Sequence, residues 1–450
     1  MRAVALLVVF AACGNSDPRT QPETVVGPMR AACAFTAGDT ADKTIGVDDP
    51  IGEEIPIKHV IVIMQENRSF DEYFGQLVAQ GYYAPGEIDV PPDDWSLLDS
   101  TGSAVTPHLD AEHCFGANHS WNDMHADWNN GKNDMFVVNN DPDGQRVMGY
   151  QNDTTIPFYY ALAKTFAVGD RYFASVMTST WPNRFFLMAA TSYGIADNSF
   201  DMMDTAAMPA AHVMEELDAA GRTWKDYTDG PHMIEFYEHY GFIHSTMAKY
   251  GDIPCDLMSD ITNNTLPDVS FVMGDEVTED SDEGPSDLPG IGGMLVENII
   301  RTLFASPAWK DTVVFIAYDE NGGLADHVPP ASACAPDDAA PHDGSGQPLV
   351  GDFAHTGFRV PMMVISPYAK AHYVSHTVMD HASITRFIEA RFGLRALTAR
   401  DANANPPYDM FDFKHPAFMT PPDIASHTTV DPTVLAACNQ KLAPTACSAR

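Results

Sequence analysis

Two apolar stretches of this 450-residue chain stop abruptly on oxygen-bearing side chains. KHVIVIMQENRSFDEYFG (58–75) runs through β-branched residues into Glu66 and Asn67, and TVVFIAYDE (312–320) ends on Asp319 and Glu320. In open α/β sheets ligands collect beyond the carboxyl ends of strands. Oxygen donors from two such ends would converge on a hard or borderline divalent cation. Either pair alone could simply cap the helix or turn that follows. Both together, with Gly322 and Gly323 allowing close approach after the second, favour a shared cation. A third stretch, SVMTSTWPNR (175–184), sets Thr178, Ser179 and Thr180 before a helix that Pro182 can start, with Asn183 and Arg184 in its first turn. Free N–H groups at a helix N-terminus attract an oxyanion, and an arginine there can grip phosphate with two hydrogen bonds. A hydroxyl at that place, bound to a metal, is acidified enough to act as a nucleophile. The plain alternative is an N-cap, the commoner role of Ser or Thr before a helix.

These residues need a scaffold, and the hydrophobic patterning supplies one. HVIVIM (59–64), RTWKDY (222–227), DVSFVMG (268–274), TVVFIAYDE (312–320) and VPMMVIS (360–366) read as strands. IPFYYALAKTF (156–166), VMEELDAAG (213–221), GGMLVENIIRTLFAS (292–306) and the amphipathic HASITRFIEARFG (381–393) read as helices. Alternation of the two predicts a three-layer α/β/α domain with a mostly parallel central sheet. One domain is expected over 56–450, with an irregular, aromatic and Asn/Asp-rich insertion around 80–150. Residues 14–55, rich in Thr, Asp, Gly and Pro, read as a polar tether and an irregular lead-in.

Composition narrows the partners. The formal net charge of −37 comes from 25 Lys and Arg against 62 Asp and Glu. Nucleic acid is excluded by repulsion, and so is general adhesion to anionic lipid. A phosphate ester substrate would need a local cation. Residues 1–13 form an export segment, one basic residue and a short apolar run ending FAAC, too short for a membrane span. FAAC also reads as a lipoprotein box that would leave Cys13 lipid-anchored, the only route to a membrane. An extracytoplasmic chain follows, and the six further cysteines, Cys33, Cys114, Cys255, Cys334, Cys438 and Cys447, are expected in disulfides. Cys438 with Cys447 is the expected local pair. Oligomeric state is not legible.

Five blocks in order, IVIMQENRSFDEYFG, SVMTSTWPNRFFLMAAT, VVFIAYDENGGLADHVPP, GFRVPMMVISPYAK and DHASITRFIEARFG, resemble the bacterial phosphoesterase family of phospholipases C and acid phosphatases, within the alkaline-phosphatase-like superfamily. The resemblance covers roughly residues 58 to 415. It implies a metal held by Glu66, Asn67, Asp319 and Glu320, and Thr180 as a nucleophile that also touches the metal. It implies His119, in GANHSW, as a phosphate contact, a less specific role for Arg184, and Asp326 and His327 as either direct or orienting groups. The implied activity is hydrolysis of phosphate mono- or diesters, phospholipids among them, through a phospho-threonine intermediate. The cofactor is a divalent ion: zinc, calcium, magnesium or manganese.

The chain departs from the family pattern in three places. Ser179 makes Thr178-Ser179-Thr180 of the usual Gly-Pro-Thr and is a minor rival nucleophile. Asn321 replaces a histidine, and Gly284 stands where Glu-His-Pro is expected, inside the acidic loop DEVTEDSDEGPSD (275–287). That loop reads as a solvated turn, or alternatively as a calcium site. The leaving-group acid is therefore open, with His232 and His355 as candidates. Aromatic residues of the 80–160 region, Tyr82, Tyr83, Trp95, Trp121, Trp128, Tyr159 and Tyr160, could cage a choline cation or belong to the core. A sulfatase is disfavoured because Thr180 cannot yield the required aldehyde. A degenerate surface lipoprotein that binds a phosphorylated ligand is the alternative function, and a metal-free structural module would leave the two acidic strand ends unexplained.

Overall fold

A computed structural model describes residues 19–110, 116–199, 211–228, 230, 234, 237, 250–274, 283–284 and 288–438. Among them an eight-stranded sheet forms from β1 (His59–Gln65), β2 (Ala167–Gly169), β3 (Trp224–Thr228), β4 (Tyr250–Gly251), β5 (Val269–Met273), β6 (Thr312–Tyr318), β7 (Met362–Ile365) and β8 (Tyr373–Ser375). Their spatial order is β8-β2-β7-β6-β1-β5-β3-β4. The pairs are parallel except where β7 runs antiparallel to both β6 and β2. The fold is thus the expected mostly parallel α/β/α arrangement. β1 and β6 sit side by side at its centre. Val60 to Ile63 and Val313 to Ala317 are buried, which is why these runs are apolar at every position rather than alternating.

Helices cover the sheet. Those that matter for the site are α1 (Glu23–Ala31), α2 (Phe70–Phe74), α3 (Trp121–Trp128), α4 (Pro157–Thr165), α5 (Thr180–Ala189), α6 (Pro289–Phe304) and α7 (His381–Phe392). α4 packs with α6, and α5 with α7. The sequence gives α7 an amphipathic look, yet all twelve of its residues are buried. Its buried arginines find partners within the fold: Arg386 pairs with Glu389, and Arg391 reaches the Ile57 carbonyl. An Asp380–Ser383 capping box starts it and Gly393, at φ +70°, ends it.

Two segments are more ordered than their composition indicates. Part of the polar lead-in forms α1, and Cys33 beyond it is bonded to Cys334, 301 residues away. Within the 80–150 insertion, α3 is capped by Ser120, and a small apolar cluster of Leu97, Met124, Phe136 and Met148 packs against Met177, Ala325 and Phe358 of the body. Cys255 and Cys438 are also disulfide-bonded. Cys447, Cys13 and His232 lie outside the described residues, as do 275–282 and 285–287 of the acidic loop. No helix among the described residues is long and apolar enough to cross a membrane.

Candidate active site

The register of the two central strands builds the site. Gln65 lies opposite Tyr318, and the Asp319 amide donates to the Gln65 carbonyl at 3.1 Å, so Glu66-Asn67 and Asp319-Glu320 leave the sheet side by side. Asn67 then takes a left-handed conformation (φ +55°), which asparagine tolerates better than most residues. Its backbone N–H donates to Asp319 Oδ1 at 3.1 Å. The Asn67 carboxamide faces Asp319 Oδ1 at 2.9 Å and Glu320 Oε1 at 2.7 Å. Turned with nitrogen inward it donates to both. Turned with oxygen inward, it puts three acceptor oxygens face to face, which a cation or a proton on Glu320 satisfies. In that second orientation Thr180 Oγ1 lies 3.4 Å from Asn67 Oδ1.

Thr180 is the first residue of α5, with Ser179 in extended conformation before it. The approach loop is fixed by Asn183, which accepts from the Val176 N–H and donates to the carbonyls of Val176, Thr178 and Ser179. Thr178 is engaged elsewhere, donating to the Ala196 carbonyl at 2.6 Å. Ser179 occupies the N-cap position without a side-chain cap bond. Arg184, one turn on and 1% exposed, donates through Nη2 to Glu66 Oε1 (2.7 Å) and through Nε to Asp319 Oδ2 (3.0 Å). Its guanidinium therefore faces the carboxylates.

His119 joins from the insertion. Its Nδ1–H donates to the Ala117 carbonyl at 2.7 Å, and Nε2 lies 3.7 Å from Glu320 Oε1. This approach depends on Gly323 (φ +70°), where a Cβ would lie 2.4 Å from the Asn118 carbonyl oxygen. Burial lowers the His119 pKa, so the ring is neutral, and its Nε2 lone pair faces the site. Burial, then the neighbouring Asp319 charge, pushes Glu320 well above the usual carboxylate range.

The structure brings Glu66, Asn67, His119, Thr180, Arg184, Asp319 and Glu320 together. His327 lies in another cluster. Its Nδ1 contacts Asp71 Oδ2 at 2.6 Å and its Nε2 contacts Asp89 Oδ1 at 3.1 Å. Burial opposes its charge, but the Asp71 carboxylate and these hydrogen bonds outweigh burial and push it up to about 9. Asp71, Asp326 and His327 are spaced closely enough to hold an ion. Arg359, however, already donates to Asp71 Oδ1 (2.5 Å) and Asp326 Oδ2 (3.2 Å), so the charge is compensated without one. His355 is one-third exposed and packs at a tilt against Trp128. Asn321 donates to the Leu324 carbonyl, shaping the turn. Of the aromatic candidates, Tyr83, Trp121, Tyr159 and Tyr160 are core residues.

Sequence reasoning passed over His381 and gave Asn183 no part. His381 Nε2 donates to the Asp319 carbonyl at 2.7 Å while Nδ1 accepts from the Tyr172 hydroxyl at 2.9 Å, and burial lowers its pKa to about 4. Both residues stand in the quoted blocks, but a buried polar residue on an apolar helix is the only signal they give.

Fold and cluster together define an α/β domain with an oxygen-rich cluster at the carboxyl ends of its central strands. The model of the Phosphoesterase family matches residues 57–395, and the chain belongs to that family, whose members are phosphoric ester hydrolases. Phospholipase C B of Mycobacterium tuberculosis is 30% identical over 88% of this chain and 86% of its own length. The non-specific phospholipase C1 of Arabidopsis thaliana is 29% identical over 77% and 69%. A protein of the alkaline phosphatase superfamily from Vibrio parahaemolyticus covers 86% of this chain and 78% of its own, at 9% identity and a TM-score of 0.39.

Proposed function

We propose that the chain is an extracytoplasmic, metal-dependent phospholipase C that cleaves a phosphodiester through Thr180. The observation that supports this reading is the Thr180 hydroxyl, at a helix N-terminus and 3.4 Å from the Asn67 carboxamide, which in turn meets the Asp319 and Glu320 carboxylates. A divalent cation fits the set Glu66, Asn67, Asp319, Glu320 and Thr180, and when bound supplies charge that acidifies the hydroxyl and offsets the phosphate. Thr180 Oγ1 attacks phosphorus, the alcohol departs, and water hydrolyses the phospho-threonine to release the phosphorylated head group. The Thr180 N–H at the start of α5 receives an equatorial oxygen, Trp181 N–H being held by Asn198 Oδ1 and Pro182 having none, and His119 contributes a second donor once its Nε2 is protonated. Arg184 holds Glu66 and Asp319 in their orientations. Similarity to phospholipases C over most of the chain favours diesters over monoesters. The leader and the Cys33–Cys334 bond support export to an oxidising compartment, with Cys13 as lipid anchor.

The test compares p-nitrophenyl phosphorylcholine, p-nitrophenyl phosphate and phosphatidylcholine vesicles, with and without chelator. Chelator-sensitive diesterase activity, lost in Thr180→Ala and kept in Ser179→Ala, is the expected result. Activity surviving Thr180→Ala would transfer the nucleophile to Ser179, and inactivity on all three substrates would point to a binding protein.

A further inference from the structure

Glu283 belongs to the acidic stretch that the sequence presents as a solvated turn, yet it is fully buried. Its Oε1 accepts from the Tyr159 hydroxyl at 2.6 Å, and its Oε2 accepts from Tyr73 at 2.7 Å and from Tyr318. The donors come from three elements: α2, α4 and the last residue of β6. α6 makes room for the side chain through Gly292, where a Cβ would lie 2.3 Å from Glu283 Cγ, and Gln65 at the end of β1 donates to the Gly292 carbonyl at 3.3 Å. Arg68 completes the clamp, donating to the Glu283 carbonyl and, at 2.8 Å, to the Gly284 carbonyl.

Burying a carboxylate costs several kcal/mol where apolar packing would fill the same space without that cost. A socket with three phenol donors therefore calls for a geometric reason. Two of its partners supply one. Tyr318 immediately precedes Asp319, and Arg68 immediately follows Asn67. Glu283 is thereby tied to both strand ends that carry the cation-facing oxygens, to one through its carboxylate and Tyr318 and to the other through its backbone carbonyl and Arg68.

We infer that Glu283 is a positioning residue that sets the spacing of Asn67 and Asp319 through Arg68 and Tyr318. The inference rests on the reading of Asn67 and Asp319 as metal ligands, and its test separates the two. Mn²⁺ is titrated calorimetrically into the full mature chain and into Glu283→Gln, Tyr318→Phe, Tyr73→Phe and Asp319→Asn, with thermal unfolding of each. Glu283→Gln and Tyr318→Phe are expected to weaken Mn²⁺ about tenfold, the scale set by losing an orienting partner. Tyr73→Phe removes a hydroxyl from the same oxygen, so it should lower the melting temperature as Tyr318→Phe does and leave Mn²⁺ affinity unchanged. A merely structural cluster would make the two phenylalanine variants alike in both readouts, which overturns the inference even if Glu283→Gln fails to fold. Loss of Mn²⁺ in Asp319→Asn, with wild-type affinity in Glu283→Gln and Tyr318→Phe, overturns it while leaving the metal reading intact. Wild-type binding in Asp319→Asn, or none in the wild type, defeats the metal reading and the inference with it.

Discussion

Asp127 on α3 is fully buried, and neither carboxylate oxygen has a well-formed hydrogen bond, Asn139 being the one donor close enough to oppose the effect of burial. Burial pushes its pKa from 3.8 to about 8. The fold therefore keeps a proton that the unfolded chain surrenders. Below about pH 4 both states are protonated and the residue is neutral in its effect. Between about pH 4 and 8 the unfolded chain ionises first, so stability falls by about 1.4 kcal/mol for each pH unit. The loss reaches about 6 kcal/mol and stops growing above pH 8. Asn has the shape of the protonated acid without its titration. Asp127→Asn should match the wild type near pH 4 and exceed it by about 4 kcal/mol at pH 7. Urea unfolding across that range reads the gap directly. A gap that does not widen with pH would refute the reasoning, as would a less stable variant at pH 7. α3 begins two residues after His119, so the same substitution stabilises an element next to the site.

Two further predictions concern the supports of the strand ends. Arg184→Lys keeps the charge but cannot span Glu66 and Asp319, so kcat/KM should fall by about 3 kcal/mol, roughly a hundredfold, with the fold retained by circular dichroism; wild-type kcat/KM would refute it. His381 has its pKa lowered to about 4, so the stability it contributes is present above pH 6.5 and lost as pH falls through 4. His381→Phe should cost about 1–3 kcal/mol at pH 7 by unpairing the Asp319 carbonyl and the Tyr172 hydroxyl, and should flatten the acid limb of the urea-midpoint profile; an unchanged acid limb counts against it.

The strands and most helices were legible because central parallel strands are apolar at every position and helices between them keep a 3.6-residue period. The three-residue strands β2 and β8 were not, since so short a run carries no period. α7 shows where patterning misleads: Arg386, Glu389 and Arg391 mimic a wet face, but partners elsewhere in the fold bury them. Glu283 misled in the same way, because an acid among acids reads as solvated until its three tyrosines are located. The strand-end acids were legible because a carboxylate directly after a buried strand has few structural uses. Arg359 with Asp71, 288 residues apart, left no local trace.

Charge balance links the acidic composition to the proposed chemistry. Once a cation offsets the burial that raises Glu320, the carboxylates of Glu66, Asp319 and Glu320 bring three negative charges to one point, and Arg184 returns one. The remainder is two, the charge of the divalent ion that their oxygens would hold. With that ion the site is neutral overall and carries positive charge where a phosphodiester approaches. The −37 of the whole chain is spread over a surface whose field salt screens within about 8 Å. An anionic substrate at the strand ends therefore meets the local balance, and removing Arg184 should matter far more to catalysis than adding a surface carboxylate.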